Sequence, residues 1–335
     1  MNGIELAPYW LVPLERVRRD DVRSFLGPGR GVYVCNAPTE EWFERIGHRE
    51  ILPSTLEKKR AIFSCMAPGS RWISPTFVEG ISEPTHDWLD GNILHVGYGN
   101  ASGRRAQLVQ TTKLARWLFA HRGDFAYFLI YNLPLPTSAA PLLARFGSDV
   151  KVFVDYQDDY TLQRTSRFKN AVERGLRRAM DGAICVNECM VASFDSKPTC
   201  VVNSFADPAS FRSAPLFDGM RLLYSGTLDA IRGADLVPAL VQALRRTLAR
   251  FTIRITGDGP LRHLIESLTF PEVEYLGLLP QPAFEDELKA ADACLVLQRP
   301  DHPFSRGSYP SKIQAYARHG KPVLVLRSAD GVAPW

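Results

Sequence analysis

The sequence predicts an α/β protein of two doubly wound domains, on three observations. Its 335 residues give room for two cores of ordinary size. Short apolar runs alternate with amphipathic segments along most of the chain, the pattern of parallel strands joined by helical crossovers. Several runs, Phe125–Tyr131 among them, are apolar without a break, as strands covered on both faces must be.

Met1–Gly29 carries Pro8, Pro13, Pro28 and a charged Arg16–Arg23 patch, and reads as a surface arm. Gly31–Asn36 is the first buried strand, ending at Asn36-Ala-Pro. Thr55–Met66 has helical spacing through Leu56, Ile62, Phe63 and Met66, and Arg71–Ser74 follows as a strand. Asn92–Tyr98 is a strand that runs into the glycine cluster 97–103, whose spacing is wrong for a dinucleotide fingerprint and reads as a flexible loop. Gln107–His121 is an amphipathic helix through Leu108, Thr111, Leu114, Ala115 and Leu118. Phe125–Tyr131 and Val150–Asp155 are strands, the second followed by Tyr156-Gln-Asp-Asp-Tyr160. Phe168–Met180 is a helix; Gly182–Val186 and Thr199–Asn203 are strands. Phe205–Met220, rich in Ala, Pro, Ser and Phe, is the expected linker. The boundaries that follow are 1–212 for the N-terminal domain with its linker and 213–335 for the C-terminal one.

Composition narrows the class. Forty Lys+Arg against 36 Asp+Glu leave a net charge of +4, which selects no polyanionic partner. Six cysteines form no CxxC pair and no zinc spacing, so a reducing compartment and buried thiols, Cys185 and Cys294 first, are expected. Met1–Glu15 lacks the basic start and apolar core of a signal peptide. Phe125–Ala144 is uncharged and long enough to span a bilayer, but Pro134, Pro136 and Pro141 interrupt it. It reads as strand, loop and helix.

The chemistry concentrates in the C-terminal domain. Ser308-Tyr-Pro-Ser-Lys-Ile-Gln-Ala-Tyr-Ala-Arg-His-Gly320 is a loop leading into a helix of about two turns, with Pro310 suited to its start, Ser311 to its cap and Gly320 to its end. Free N–H groups, the Ser311 hydroxyl and the Lys312 cation together read as a phosphate site, with an ordinary capped surface helix as the alternative. Upstream, Leu222-Leu-Tyr-Ser-Gly-Thr is a strand entering a glycine turn, with Arg232-Gly233 shortly beyond. Thr252-Ile-Arg-Ile-Thr is a second strand that ends in Gly257-Asp258-Gly259. Val273–Gly277 and Ala290–Leu297 complete the set before Val323–Leu326.

In this order and spacing, residues 221 to 325 resemble the nucleotide-sugar-binding half of the GT-B glycosyltransferases, family 4 of the retaining type, with a Pro-Ser-Lys variant of the donor motif. The first 210 residues resemble it far less. The resemblance implies two Rossmann-like domains facing a central cleft. It also implies sugar transfer from a nucleotide donor to a glycan or lipid-linked acceptor, in the setting of surface polysaccharide synthesis at the inner face of a membrane. The implied partners are the nucleotide sugar and that acceptor, with no nucleic acid and with a peripheral membrane contact as a further option; no cofactor beyond the nucleotide sugar is implied. Carried over residue by residue, Arg232 and Lys312 flank the diphosphate, and Gly226, Thr227, Gly233, Gly257, Asp258, Gly259 and Ser311 line the donor pocket. Transfer needs the departing diphosphate to be neutralised. The chain has no DxD motif, so a metal-free solution is expected, with Asp155-Tyr-Gln-Asp158-Asp159 the nearest acidic cluster.

The departures are specific. Arg232 stands where the family has lysine, and Thr227 where many relatives have a second arginine, a place Arg299 or Arg306 could fill. Gly307 and Ala315 occupy the positions of the family's paired glutamates, and Asn132 that of a histidine. Asp158 is then the candidate acceptor-side group, with helix capping as its alternative role. The chain ends at Trp335, just past a strand, where the family adds another strand and helices, so either a fragment or a member with a shortened C-terminal domain is expected. Two further readings stay open: a non-catalytic GT-B protein that binds a nucleotide or a partner, favoured by the missing glutamates, and a GT-B-fold sugar-nucleotide epimerase, which would need an acidic and histidine cluster.

Overall fold

A computed structural model describes residues 6–9, 19–35, 53–75, 87–97, 103–162, 166–202 and 219–326. In chain order the first elements are β1 (Leu6–Tyr9), α1 (Arg19–Leu26), β2 (Gly31–Val34), α2 (Pro53–Cys65), β3 (Arg71–Ser74), β4 (Trp88–Asp90), β5 (Ile93–His95), α3 (Gly103–His121), β6 (Tyr127–Tyr131), α4 (Leu135–Ala144), β7 (Lys151–Tyr156), α5 (Arg167–Ala179), β8 (Gly182–Cys185) and β9 (Thr199–Val201). Then follow β10 (Met220–Ser225), α6 (Val237–Leu244), β11 (Phe251–Thr256), α7 (Arg262–Glu266), β12 (Val273–Tyr275), α8 (Gln281–Ala290), β13 (Ala293–Val296), α9 (Pro303–Arg306), α10 (Lys312–Arg318) and β14 (Val323–Leu326).

The chain divides into two compact units, Val17–Asn203 and Met1–Arg16 with Ser204–Trp335. The expected N-terminal domain of 1–212 therefore loses its first residues to the other unit. β1 pairs antiparallel with β14, Leu6 opposite Leu326 and Tyr9 opposite Val323. Pro8 is tolerated because β1 is an edge strand, and its pairing covers the β14 edge that would otherwise stand open. The expected surface arm is also corrected at α1, where Val22 and Leu26, one turn apart, are buried. The linker expected at 205–220 lies outside the described residues up to 218, as do the Asn36-Ala-Pro turn and most of the glycine cluster after Gly97.

The sheet of the 17–203 unit has the order β4-β5-β3-β2-β6-β7-β8-β9, parallel except for the β4 edge. The other runs β1-β14-β13-β10-β11-β12, parallel except for β1. In each, the first parallel strand lies inside the sheet, β2 in one and β10 in the other. The chain winds outward on one side, then returns to the opposite side at β6 or β13. This is the doubly wound order, with a topological switch beside β2 and beside β10.

Alternation along the strands makes the two cores of the second sheet. Leu222, Tyr224, Ile253, Ile255, Ala293, Leu295 and Leu324 bury on one face. Leu223, Cys294, Val296 and Val325 bury on the other, with Phe284 and Leu288 of α8 and Ile313 and Tyr316 of α10. Cys185 and Cys294 are buried free thiols. The uncharged stretch 125–144 divides into β6 and α4, and no described helix is long and apolar enough to cross a membrane. Pro141 lies within α4 instead of ending it.

A buried polar network braces the first unit. Arg177 on α5 donates to Asp159 (2.8 Å) and to the Tyr156 hydroxyl (3.1 Å), and that hydroxyl donates to Glu173 (2.7 Å). All four side chains are buried. The network ties α5 to the end of β7, and each charge has a partner, as burial requires.

Candidate functional site

The candidate donor residues gather at the carboxyl edge of the second sheet, at its switch point. β10 ends at Ser225, and the chain turns at Gly226, whose φ of +147° favours glycine. β11 ends at Thr256 and turns at Gly257 and Gly259, with φ of +139° and +157°. The two turns are laced together by backbone hydrogen bonds: Gly226 N to Thr256 O (3.1 Å), Leu228 N to Asp258 O (2.9 Å) and Leu261 N to Leu228 O (2.8 Å). A Cβ on Gly257 would stand 1.8 Å from Gly226 O, and one on Gly259 2.6 Å from Leu228 O. These two glycines are demanded by the close approach of the backbones. Gly226 differs, since a Cβ there meets nothing within 4 Å and its outer side is open. Thr227 and Asp258 are exposed beside it; Asp258 Oδ1 accepts from Gly259 N at 2.8 Å.

Gly233 lies on the other side of the switch. A Cβ there would meet Leu297 O at 2.1 Å, at the end of β13, and Arg299 N donates to Ile231 O nearby (2.9 Å). The Tyr224 hydroxyl fixes the loop from below, donating to Thr227 O (3.3 Å) and Arg232 O (3.1 Å). Burial, with Asp229 close by, holds that phenol above its usual range. Arg232 is engaged within its own loop, its backbone N and guanidinium both donating to Asp229. Asp-x-x-Arg spacing could have signalled that pair. Arg299, a candidate for the missing arginine, is likewise occupied, by Asp235 (2.6 Å) and by Ala230 O (2.9 Å).

Lys312 is in a different state. It is half-buried at the start of α10, its ammonium 4.8 Å from the centroid of the Phe284 ring. Among the described residues it has no ion pair and no hydrogen bond. Burial alone depresses its pKa, with no carboxylate to restore it. α10 is tied to the switch by the Tyr316 and Ser225 hydroxyls, 2.7 Å apart at the end of β10. Tyr316 lies one turn beyond Lys312 on the same helix face. Ser311 does not cap α10 as expected. It is exposed with helical φ and ψ (−56°, −25°), its side chain makes no capping bond, and the turn closes through Ile313 N to Pro310 O (3.0 Å). Gly307 and Ala315 contribute no carboxylate; Gln314, not singled out from sequence, is buried beside them.

Asp158 lies in the other unit, at the carboxyl end of β7. Asn132, which follows β6 with φ of +51°, receives the backbone N–H groups of Gln157 (2.7 Å) and Asp158 (3.1 Å) on its Oδ1. Its amide and the Tyr160 hydroxyl reach Asp158 Oδ2 at 3.4 and 3.3 Å. The capping role belongs to Asp159, which receives Thr161 N (3.0 Å), while α5 is capped by Ser166.

The three neighbouring aspartates do not converge. Asp155 is buried against the Tyr33 hydroxyl (2.5 Å) and the Gln157 amide, Asp159 against Arg177 and Asp158 against Asn132. No group of three or more His, Cys, Asp or Glu among the described residues could hold a metal ion. Sequence reasoning missed Lys58 and Lys59, buried beside this edge of the sheet. Lys58 donates to Val202 O (3.3 Å), and burial lowers its pKa to about 8 against the pull of Asp155 and Asp158. The Lys59 ammonium lies 4.2 Å from the Tyr131 ring centroid.

No protein-family model matches the sequence, and no curated protein matches it by sequence. Solved structures do match in fold. A sucrose-phosphate synthase from Thermosynechococcus elongatus superposes with a TM-score of 0.57 at 12% identity, over 88% of this chain and 80% of that one. The lipopolysaccharide outer core galactosyltransferase WaaB gives 0.53 at 13%, over 88% and 79%. A trehalose-6-phosphate synthase studied for glycosyltransfer with retention gives 0.51 at 12%, over 80% and 78%. With its two doubly wound sheets, the chain has the GT-B fold.

Proposed function

We propose that this chain is a glycosyltransferase that moves a hexosyl group from a nucleotide-sugar donor to a glycan or lipid-linked acceptor, with retention and without a metal ion. The observation that carries the reading is Lys312, a half-buried ammonium without a counter-charge among the described residues, on a helix tied to the switch-point glycine turns. Such a cation is stabilised by an anion, and a diphosphate placed against the open side of Gly226 supplies one. As the bond from the anomeric carbon to the diphosphate oxygen breaks, charge grows on the leaving group, and Lys312 is more valuable there than in the ground state. Gly226, Thr227, Gly257, Asp258 and Gly259 form the floor of the proposed donor site, with Gly233 and Arg232 at its side and Ser311 beside Lys312. Arg232, held by Asp229, contributes by releasing that carboxylate or through a shared network. Asp158 is the proposed acceptor-side group. Surface-glycan assembly at the inner face of a membrane is the proposed setting, in keeping with the sugar-transferring proteins among the structural matches.

A non-catalytic nucleotide-binding role is the second reading, favoured by the absence of carboxylates at Gly307 and Ala315. One experiment separates the two. The protein is incubated with UDP-, GDP- and dTDP-sugars, and release of the diphosphate and the anomeric configuration of the released sugar are followed. The first reading expects release from one donor class with configuration kept. Diphosphate binding without release from any donor would establish the second.

A further inference from the structure

Two arginines stand beside the switch point of the second sheet, each against an aspartate of the loop that follows Gly226, but they are held differently. Arg299, just past β13, is fastened three ways. Its guanidinium donates to Asp235 (2.6 Å) and to Ala230 O (2.9 Å), and its backbone N to Ile231 O (2.9 Å). It is a clamp between β13 and the loop. The guanidinium of Arg232 has Asp229 as its one hydrogen-bond partner among the described residues. Both side chains of that pair are partly open to solvent, 37% exposed for Arg232 and 20% for Asp229.

The backbone around the pair is fixed. The Tyr224 hydroxyl donates to Thr227 O and Arg232 O, Asp229 N donates to Thr227 O (3.1 Å), and Ala234 N to Asp229 O (3.0 Å). Gly233, with φ of +75°, lies against Leu297 O. Asp229 is anchored as well, because its Oδ1 accepts the backbone N–H of Arg232 at 2.7 Å while its Oδ2 takes the guanidinium. The guanidinium can therefore swing away while the turn and the carboxylate stay where they are. A half-exposed ion pair adds little stability, so opening this one costs little.

We infer that Asp229 is a built-in counter-anion of the donor site, competing with the diphosphate for the Arg232 guanidinium. The inference rests on the donor-site reading above and makes Asp229 a positioning residue that acts through Arg232. The guanidinium fork suits a carboxylate and a pair of phosphate oxygens alike, so the exchange conserves its hydrogen bonds. It also leaves a carboxylate beside the bound diphosphate. Asp229 thereby weakens the hold on the nucleoside diphosphate, the leaving group of the transfer, and takes the cation back as that product departs. Lys312 has no competing carboxylate among the described residues and stays available throughout.

The test is calorimetric titration of the full chain with UDP, GDP and dTDP, for the parent, Asp229→Asn, Arg232→Gln and the double variant. Asparagine keeps an oxygen for the Arg232 N–H, so the turn is retained, as thermal unfolding checks. Asp229→Ser, which also offers an oxygen to that N–H, is the second variant and should behave alike. For the diphosphate that the parent binds, Asp229→Asn is expected to lower Kd by about two- to fivefold, the contribution of a half-exposed pair. A merely structural role would raise Kd instead. In the Arg232→Gln background the same substitution should gain less, since the cation under competition is gone. An unchanged or raised Kd in folded Asp229→Asn and Asp229→Ser overturns the inference and leaves the donor site standing. So does an equal gain in both backgrounds, which would mean that Asp229 acts on the diphosphate directly. Silence of the parent and of every variant refutes the donor-site reading, and this inference with it.

Discussion

Replacing Lys312 by methionine is predicted to move stability and donor affinity in opposite directions. Methionine keeps the unbranched length and the contact with Phe284 but removes the charge. The Lys312 pKa is lowered in the folded state, so folding is penalised by the charged form. That penalty is fully present below the folded pKa and fades as pH rises toward the ordinary 10.5. Against it stands a cation–π contact of about 0.5–1 kcal/mol. A net gain in stability, read as a rise in Tm, is expected. Donor affinity goes the other way. Losing a hydrogen bond between a cation and a phosphate costs about 1.5–3 kcal/mol, or about ten- to more than hundredfold in Kd. Calorimetry at pH 7 gives the affinity and thermal unfolding the stability. A folded Lys312→Met protein that binds the diphosphate with unchanged Kd would refute the reasoning. A lower Tm would show that the ammonium is compensated within the protein itself.

Other predictions follow from the same geometry. Arg177→Met leaves Asp159 and Glu173 buried without their cation and should cost about 3–5 kcal/mol in urea unfolding, a loss partly recovered by adding Asp159→Asn. Gly257→Ala sets a methyl group on Gly226 O and should destabilise far more than Gly226→Ala, whose methyl meets open space and suffers only the backbone penalty; paired denaturant curves compare them. Lys58 has a folded pKa lowered to about 8, so its penalty is full below pH 8 and disappears by about 10.5. Stability relative to Lys58→Met should therefore rise across that window, by up to about 3 kcal/mol, as measured by unfolding at stepped pH.

The fold was legible wherever an element's own apolar pattern records its burial. The uninterrupted run of β6, the Leu222–Tyr224 core of β10 and the spacing of α5 carry enough local information to place them. β1 was not legible, because a four-residue strand containing Pro8 exists only through its pairing with β14, more than 300 residues away in sequence. α1 left a faint signal in Val22 and Leu26, masked by Arg19, Asp20, Asp21 and Arg23 around them. At the site, the glycines could be found because their turns need them whatever is bound. What each cation does could not be found. Arg232 and Lys312 are both basic residues near helix starts, and only the fold distinguishes the one paired with Asp229 from the one facing an aromatic ring. Lys58 and Lys59 escaped notice because two lysines on a helix read as solvent-facing. Lys59 does share helical spacing with Ile62, Phe63 and Met66, which could have placed it on the buried side.

The donor site is tested most directly by titrating the wild-type protein with UDP, GDP and dTDP by calorimetry in the presence of EDTA. The account predicts saturable binding of one of the three, with an affinity that survives the chelator and falls in Lys312→Met. Silence from all three, in a protein shown to be folded, would contradict the donor site built around Lys312 and the glycine turns.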